Sequence, residues 1–281
     1  MSDAVIQAEW LVEHLNDKNI CVVDATVHLP DTGRDAAKEF LTEHIPGSIF
    51  FDLSVIADPN NPLPRKVPEK SFFEQKVSEL GIDNETQIIA YDTLGLYSAA
   101  RVWWLFRLYG YDNVSVLDGG LKNWKQLGFP VDTDIRLITP THFVGGADRN
   151  LLARKPEVLE QSTENHQILD ARTPGRFAGT EMDRYPGTRP GHIPGSKNLY
   201  WSDLLDKGSR KFLPPREIKE KIETAGINLD QPVTLTCGSG LTACILALGL
   251  HICGINNWKV YDGSWDEWGR DHKLPIASLK D

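Results

Sequence analysis

Short runs of apolar residues alternate with longer helical patterns along the whole chain, and the order of these segments occurs twice. The first copy begins with a helical pattern over residues 9–15 and a β-rich run at Ile20–Asp24, and the second with residues 155–161 and Gln167–Asp170. Short apolar strands that alternate with helices are typical of a parallel sheet that helices cover on both faces. The pattern therefore predicts an α/β protein with two such sheets, each mostly parallel.

The later part of each copy predicts the same succession of elements. An irregular polar stretch leads to a turn, a short strand and a helix, and then to the apolar runs Gln87–Tyr91 and Val233–Thr236. The helices that follow, over residues 98–109 and 242–253, are apolar on nearly every side. We expect each of them to be buried between its sheet and another layer.

Two motifs recur at nearly constant separation. The sequence His-Ile-Pro-Gly-Ser begins at His44 and again at His192, and the Asp-Gly turn at Asp118 is matched at Asp262. With only two long copies, the repeat indicates duplication of a whole domain and not a solenoid. We expect the two histidines to be structural turn residues that bond to the backbone.

The copies differ at one chemically important position, because Cys237 follows the apolar run of the second copy and Asp92 holds its place in the first. We therefore predict a non-catalytic domain over residues 1–138 and a catalytic domain over residues 151–281. Residues 139–150 lack a clear period and contain one proline and two glycines, so they are the expected linker.

Composition restricts the range of partners. A chain of 281 residues is comfortable for two domains, and its net charge of −9 gives no support to a nucleic acid or an anionic membrane as partner. The first residues show no secretory signal, and the longest apolar stretch, residues 244–255, is far shorter than the roughly 20 residues that a membrane span needs. We expect a cytoplasmic protein.

The cysteines and histidines indicate neither a metal site nor a disulfide framework. The chain has four cysteines and eight histidines, with no C-x-x-C pair and no H-E-x-x-H or other ligand spacing. We therefore expect no metal and no cofactor, and a reducing compartment. Three cysteines, Cys21, Cys244 and Cys253, are interpreted as small buried apolar residues.

Cys237 differs because of the segment that it opens, Cys237-Gly238-Ser239-Gly240-Leu241-Thr242-Ala243. This is a transition from strand through loop to helix, in which the glycines can direct successive N–H groups toward one point. Those donors and the helix N-terminus favour the thiolate over the thiol. A buried cysteine before a glycine-rich turn is the structural alternative. The carboxyl end of a strand in an α/β sheet, however, is where ligands bind.

Taken together, these motifs resemble the mercaptopyruvate sulfurtransferase family. The resemblance extends from about Trp10 to Trp268 and includes the Cys-Gly-Ser-Gly-x-Thr-Ala loop, both His-Ile-Pro-Gly turns and the Asp-Gly-Ser-Trp-x-Glu-Trp close. It implies two rhodanese-like domains with the site in the cleft between them. It also implies that Cys237 takes sulfur from mercaptopyruvate and becomes a persulfide, and that Ser239 is the serine of the family's loop. The sulfur then passes to cyanide or to a thiol such as thioredoxin or a small thiol.

Related chemistries predict different loops. Thiosulfate sulfurtransferases usually carry Arg and Lys beside the cysteine, suited to a dianion, where this chain has Gly238 and Ser239. A phosphatase-like loop needs Cys-x5-Arg to grip a phosphoryl group, and position 243 is Ala. Thiosulfate as the better donor and a non-catalytic persulfide carrier stay as the alternatives.

The resemblance also implies residues that bind the carboxylate of the substrate. The family's substrate arginine falls on Arg176, and its second arginine, about nine residues later, falls on Tyr185, so Arg184 and Arg189 are the candidates for that role. For each arginine the alternative is a surface ion pair. Tyr97, in the equivalent loop of the first copy, is a further candidate for substrate contact.

Two positions depart from the pattern of some family members. Ser54 stands where those members have an acid, and Arg65 where they have a histidine. A proton relay through these two positions is therefore not expected here, and Arg65 instead adds positive charge.

Overall fold

The computed structural model describes residues 4–164 and 166–279, which form two compact units. The first unit comprises the chain up to Arg149 together with Asp206–Phe212. The second comprises Asn150–Leu205 and the chain from Leu213 onward.

The first unit contains one five-stranded sheet and five α-helices. In chain order the elements are β1 (Val5–Ile6), α1 (Ala8–His14), β2 (Ile20–Asp24), α2 (Ala36–Thr42), β3 (Ile49–Phe50), α3 (Lys70–Glu79), β4 (Gln87–Tyr91), α4 (Ala99–Leu108), β5 (Val114–Leu117) and α5 (Gly120–Gln126). All strand pairs are parallel, and the order across the sheet is β1-β5-β4-β2-β3.

The second unit repeats this arrangement. Its elements are β6 (Leu152–Ala153), α6 (Lys155–Thr163), β7 (Gln167–Asp170), α7 (Pro174–Ala178), β8 (Lys197–Asn198), α8 (Pro215–Thr224), β9 (Val233–Thr236), α9 (Ala243–Ile252), β10 (Trp258–Tyr261) and α10 (Ser264–Trp268). The order β6-β10-β9-β7-β8 is again wholly parallel.

Apolar side chains fill both faces of each sheet, as the continuous apolar runs predict. Every residue of β2 and of β9 is buried. On one face of the first sheet, Ile89 and Tyr91 of β4 pack with Leu11 of α1 and Trp124 of α5. Because successive strand residues point to opposite faces, the other residues of β4 face the layer that contains α4, which is almost wholly buried. The predicted fold class is confirmed.

The sequence pattern located the central strands well and the edges poorly. The apolar runs Gln87–Tyr91 and Val233–Thr236 coincide with β4 and β9, whereas β1 and β6, with two residues each, have no periodic signal to find. Both turn histidines bond to backbone carbonyls as expected, from Nδ1 of His44 to Phe40 at 2.6 Å and from Nδ1 of His192 to Phe177 at 2.8 Å.

The segment Asp206–Phe212 lies with the first unit although its sequence falls inside the second repeat. The N–H of Phe212 donates to Asp118 Oδ1 at 2.9 Å, and Nζ of Lys211 donates to Gln7 Oε1 at 2.9 Å. The side chain of Arg210 lies so near Gly95 that a Cβ there would be 2.5 Å from it. Gly95 therefore has to lack a side chain.

Neither unit shows a membrane segment or a metal cluster within residues 4–164 and 166–279. No helix there is long and apolar enough to cross a bilayer. No group of three or more His, Cys, Asp or Glu side chains is placed to hold a metal ion.

Asp24, at the carboxyl end of β2, is a buried carboxyl group that lies near a second one. It is 1% exposed, and its Oδ1 accepts the N–H of Thr26 at 2.8 Å. Burial, with a smaller contribution from the charge of Asp92, raises the pKa of Asp24 to about 6 against the hydrogen bonds from Thr26 that lower it. An aspartate in the unfolded chain titrates near ~3.9.

We predict that Asp24→Asn stabilises the protein at neutral pH. Between about pH 4 and 6 the folded state holds a proton that the unfolded state has lost, so stability falls as the pH rises through this interval. At pH 7 the raised pKa of Asp24 lowers the free energy of unfolding by about 3 kcal/mol relative to its value at low pH, and Asn at this position removes that loss. Urea unfolding at pH 4.5 and 7.5 measures it.

The matched control is Asp35→Asn, since the N–H and side chain of Lys38 lower the pKa of this exposed carboxyl. A lowered pKa gives stability that is lost on acidification, so this variant changes with pH in the opposite direction. An Asp24→Asn effect that is equal at both pH values contradicts the prediction.

Candidate active site

Cys237 follows β9, the central strand of the second sheet, at the carboxyl end where the loops of a parallel sheet converge. Its side chain is buried, with 1% exposure, as are Leu241 and Ala243 further along the loop. Thr242 precedes α9, which begins at Ala243. The predicted succession of strand, loop and helix is present.

The loop curls around the sulfur atom. The N–H of Gly240 donates to Cys237 Sγ at 3.1 Å, and Gly240 has a φ of +86°, which favours glycine. The hydroxyl oxygen of Ser264 lies 3.9 Å from Sγ, and its proton is donated to the carbonyl of Tyr261 at 2.8 Å. Gly240 thus supplies a backbone donor directly to the sulfur atom.

The first residues of α10 form hydrogen bonds with the backbone of the loop. The N–H of Cys237 donates to Ser264 Oγ at 3.1 Å, while the N–H groups of Trp265 and Asp266 donate to the carbonyls of Cys237 and Gly238 at 3.0 and 2.8 Å. Ser264 adopts a φ of +51°, a conformation unusual for a residue with a side chain. This support was not foreseen from the sequence, although the repeated Asp-Gly turn marked its position.

Ser239 is buried and bonded to a residue of a different loop. The hydroxyl of Tyr185 donates to Ser239 Oγ at 2.9 Å. The ring of Tyr185 also covers Gly238, where an added Cβ would lie 2.5 Å from Tyr185 Cε2. In the sequence, Tyr185 stood out only because it occupies the position of the family's second arginine, and no sequence signal predicted this contact.

Arg172 links the loops that follow β7 through buried ion pairs and hydrogen bonds. Its guanidinium is 1% exposed and lies between Asp170 and Asp183, with N–O distances of 2.8 and 2.9 Å. It also stacks on Trp265, 4.5 Å from the ring centre, and donates to the carbonyl of Gly191 at 2.9 Å. Burial alone lowers the pKa of Arg172, but the two carboxylates outweigh burial and raise it.

Arg176, on α7, shares one of these carboxylates and is less constrained. Its Nε donates to Thr173 Oγ1 at 3.1 Å, and its Nη1 lies 3.7 Å from Asp183 Oδ1. The side chain is 14% exposed, compared with 1% for Arg172. Asp183 thus orients Arg176 without enclosing it.

The other predicted arginines have different surroundings. The guanidinium of Arg189 donates to backbone carbonyls between residues 268 and 274, including Asp271 at 2.7 Å and Leu274 at 3.1 Å. Arg184 is exposed, and its N–H donates to Asp183 Oδ1 at 2.7 Å. Tyr97 is half-buried in the first unit. Substrate binding by these three residues stays a prediction.

The counterpart of the cysteine in the first unit is a carboxylate held by backbone N–H groups. Asp92 is 1% exposed, and its Oδ1 accepts the N–H of Leu94 at 3.0 Å. Its Oδ2 accepts the N–H groups of residues 97–99 at 2.7–3.0 Å. The first unit therefore fills its own anion cradle with a side chain of the protein.

We predict that Arg172→Met destabilises the second unit by about 3–5 kcal/mol, because it leaves two buried carboxylates without their counter-ion. Urea unfolding at pH 7 measures the loss. Arg216→Met is the control, since Arg216 is 90% exposed and pairs with Glu220 along its own helix. Equal effects of the two substitutions would contradict the structural role of Arg172.

Comparison with known proteins agrees with this geometry. The profile of the rhodanese-like domain matches residues 7–127 and again 155–271. A 3-mercaptopyruvate sulfurtransferase of Mus musculus is 38% identical over 273 residues, which cover 94% of this chain and 91% of the relative. A thiosulfate sulfurtransferase of Gallus gallus is 37% identical over 280 residues, which cover 97% and 94%.

A solved structure shows the same fold. The crystal structure of SseA from Escherichia coli, described with the rhodanese fold of 3-mercaptopyruvate sulfotransferases, superposes with a TM-score of 0.84 at 34% identity. The alignment covers 94% of this chain and 99% of that one. The expected resemblance and the expected enzyme class, a sulfurtransferase, are confirmed. The chain belongs to the rhodanese-like family, among the two-domain members that include the 3-mercaptopyruvate sulfurtransferases.

Proposed function

We propose that this protein transfers sulfur from 3-mercaptopyruvate to a thiol acceptor through a persulfide on Cys237. The observation that carries the proposal is the enclosed Cys237 sulfur, which accepts the N–H of Gly240 at the carboxyl end of the central strand. The neutral side chains of Gly238 and Ser239 beside it suit a keto acid better than a dianion.

The chemistry has two balanced steps. The Cys237 thiolate attacks the donor sulfur, the new S–S bond forms as the C–S bond breaks, and the released electron pair gives the enolate of pyruvate. The enolate takes up one proton, by way of Ser239 or water, and leaves as pyruvate. An acceptor thiolate then attacks the outer sulfur of the persulfide, and the Cys237 thiolate is restored.

The Asp92 carboxylate supports the persulfide assignment. Its Oδ2 atom is two bonds from Cβ, as the outer sulfur of a cysteine persulfide is. In the first unit the N–H groups that open α4 bind this atom. The corresponding N–H groups in the second unit are those of residues 242–244, of which that of Cys244 already donates to the carbonyl of Leu241 at 3.1 Å. The N–H groups of Thr242 and Ala243 are therefore the donors that we assign to the outer sulfur. They stabilise its negative charge during both steps.

Arg176 is the residue that we assign to the carboxylate of the donor. It has the exposed guanidinium surface that Arg172 lacks, and Asp183 and Thr173 fix its orientation. Arg184 is the candidate for a second contact, because Arg189 directs its donors to backbone carbonyls.

The acceptor is inferred from the chemistry of the second step. A thiol such as thioredoxin or a small thiol suits this step, as does cyanide, since such a nucleophile takes the outer sulfur and releases the Cys237 thiolate without an oxidant. A cytoplasmic location stays a prediction. Thiosulfate is the second candidate donor, because the relative from Gallus gallus is a thiosulfate sulfurtransferase.

We predict that Cys237→Ser abolishes pyruvate release from 3-mercaptopyruvate in the presence of a thiol, because a hydroxyl at this position is not ionised at neutral pH. Steady-state assays with a small thiol as acceptor measure it. Cys253→Ser, at the C-terminal end of α9 and outside the loop, is the control and keeps full activity. Turnover by the Cys237→Ser protein would end the proposal, and wild-type protein without turnover would leave only a persulfide carrier.

We predict that Arg176→Ala lowers kcat/KM for 3-mercaptopyruvate about tenfold to a hundredfold, since a charge-assisted bond contributes about 1.5–3 kcal/mol. The loss falls mainly on KM if the bond is equally strong in the ground and transition states. Arg176→Lys keeps the charge without the planar fork and lies between wild type and Ala. Unchanged kinetics in a folded Arg176→Ala protein would refute the assignment.

A further inference from the structure

Tyr185 makes two contacts with the sulfur loop that the proposed mechanism does not use. Its ring covers Gly238, and its hydroxyl donates to Ser239, so one side chain touches both residues that follow Cys237. Tyr185 belongs to the loop between α7 and β8, which is distant in sequence from the cysteine. The contact therefore depends on tertiary structure.

The ring contact decides which residue fits at position 238. A Cβ on Gly238 would lie 2.5 Å from Tyr185 Cε2 and 3.0 Å from the hydroxyl oxygen. Contacts of this length are far inside van der Waals separation, and the ring of a tyrosine is rigid. As long as the ring stays in place, position 238 cannot carry a side chain, and hence cannot carry a cation.

The backbone of the loop that carries Tyr185 is held on both sides of this residue, and the hydroxyl of the ring is held by its bond to Ser239. The N–H of Thr188 and its hydroxyl both donate to the carbonyl of Tyr185, at 3.2 and 2.8 Å. Two residues before the tyrosine, Asp183 is fixed by the buried Arg172. The ion pair that orients Arg176 thus also anchors the loop segment from which the ring extends.

We propose that Tyr185 is the specificity-determining residue of this sulfurtransferase. Its ring keeps position 238 a glycine and so excludes a cationic side chain that would favour a dianionic donor such as thiosulfate. Its hydroxyl fixes Ser239 beside the keto-acid donor. This inference rests on the proposed function. It makes Tyr185 the reason that position 238, beside Cys237, carries no cationic side chain.

The steric part is tested by a double-mutant cycle of Gly238→Ala and Tyr185→Ala in the full chain. With Tyr185 present, Gly238→Ala lowers kcat/KM for 3-mercaptopyruvate at least tenfold, and in the Tyr185→Ala background it costs less than about threefold. The control is Gly208→Ala, where an added Cβ meets only a side-chain oxygen of Asp206 at 3.5 Å. Equal losses from Gly238→Ala in both backgrounds overturn the proposal.

The hydroxyl part is tested by Tyr185→Phe, which keeps the ring and removes the O–H. Loss of one neutral hydrogen bond lowers kcat about threefold to tenfold, with little change in KM. In this background Gly238→Ala remains as harmful as in the wild type, because the ring is still present. A Phe variant that tolerates Ala at position 238 overturns the steric argument, and one with wild-type kcat overturns the role of the hydroxyl.

The specificity itself is measured as the ratio of kcat/KM for thiosulfate to that for 3-mercaptopyruvate. Gly238→Arg combined with Tyr185→Ala raises this ratio at least tenfold above that of Tyr185→Ala alone. A ratio that does not move overturns the specificity role. The same double-mutant cycle can be followed by thermal unfolding, which needs no sulfur donor. If the two substitutions are non-additive in unfolding but the wild-type protein shows no turnover, the contact between Tyr185 and Gly238 is established and the proposed function is rejected.

Discussion

The candidate site of the second unit depends on the ion pairs of the buried Arg172 guanidinium. The guanidinium neutralises Asp170, at the end of β7, and Asp183, in the loop beyond α7, and it stacks on Trp265 of α10. A buried charge of this kind is stable only with its partners in place, so the three elements have one mutual arrangement. That arrangement fixes Arg176 through Asp183, Tyr185 two residues later, and the turn of α10 whose N–H groups hold Cys237 and Gly238.

The two units show the same backbone with different chemistry. Each central strand ends in a loop whose N–H groups point inward, because a helix begins immediately afterwards and leaves its first donors without helical partners. In the first unit the carboxylate of Asp92 accepts four of these donors. In the second unit the sulfur of Cys237 accepts one, from Gly240. The Cys237 side chain is one atom shorter than that of Asp92, and in the proposed function the outer sulfur of the persulfide takes the place of the carboxylate oxygen.

Local patterns in the sequence predicted the fold and the candidate nucleophile, Cys237, whereas the rest of the candidate site depends on long-range contacts. The apolar runs of β4 and β9 and the glycines after Cys237 are signals within a few residues. The two-residue edge strands β1 and β6 are too short for any period. The contact of Tyr185 with Gly238 and Ser239 joins distant segments, as does the segment Asp206–Phe212, which lies with the first unit. The family resemblance singled out Arg176, but the sequence could not distinguish an arginine with exposed donors from Arg189, whose donors go to carbonyls.

That Cys237 carries the transferred sulfur is tested most directly by mass spectrometry with peptide fragmentation after brief exposure to 3-mercaptopyruvate. We predict one added sulfur atom on Cys237 and none on Cys21, Cys244 or Cys253. Fragment ions are needed because no Lys or Arg separates Cys237 from Cys244 and Cys253. We also predict that the added mass disappears when a small thiol is supplied. Sulfur on another cysteine, or pyruvate released with no sulfur on Cys237 at any time, would contradict it.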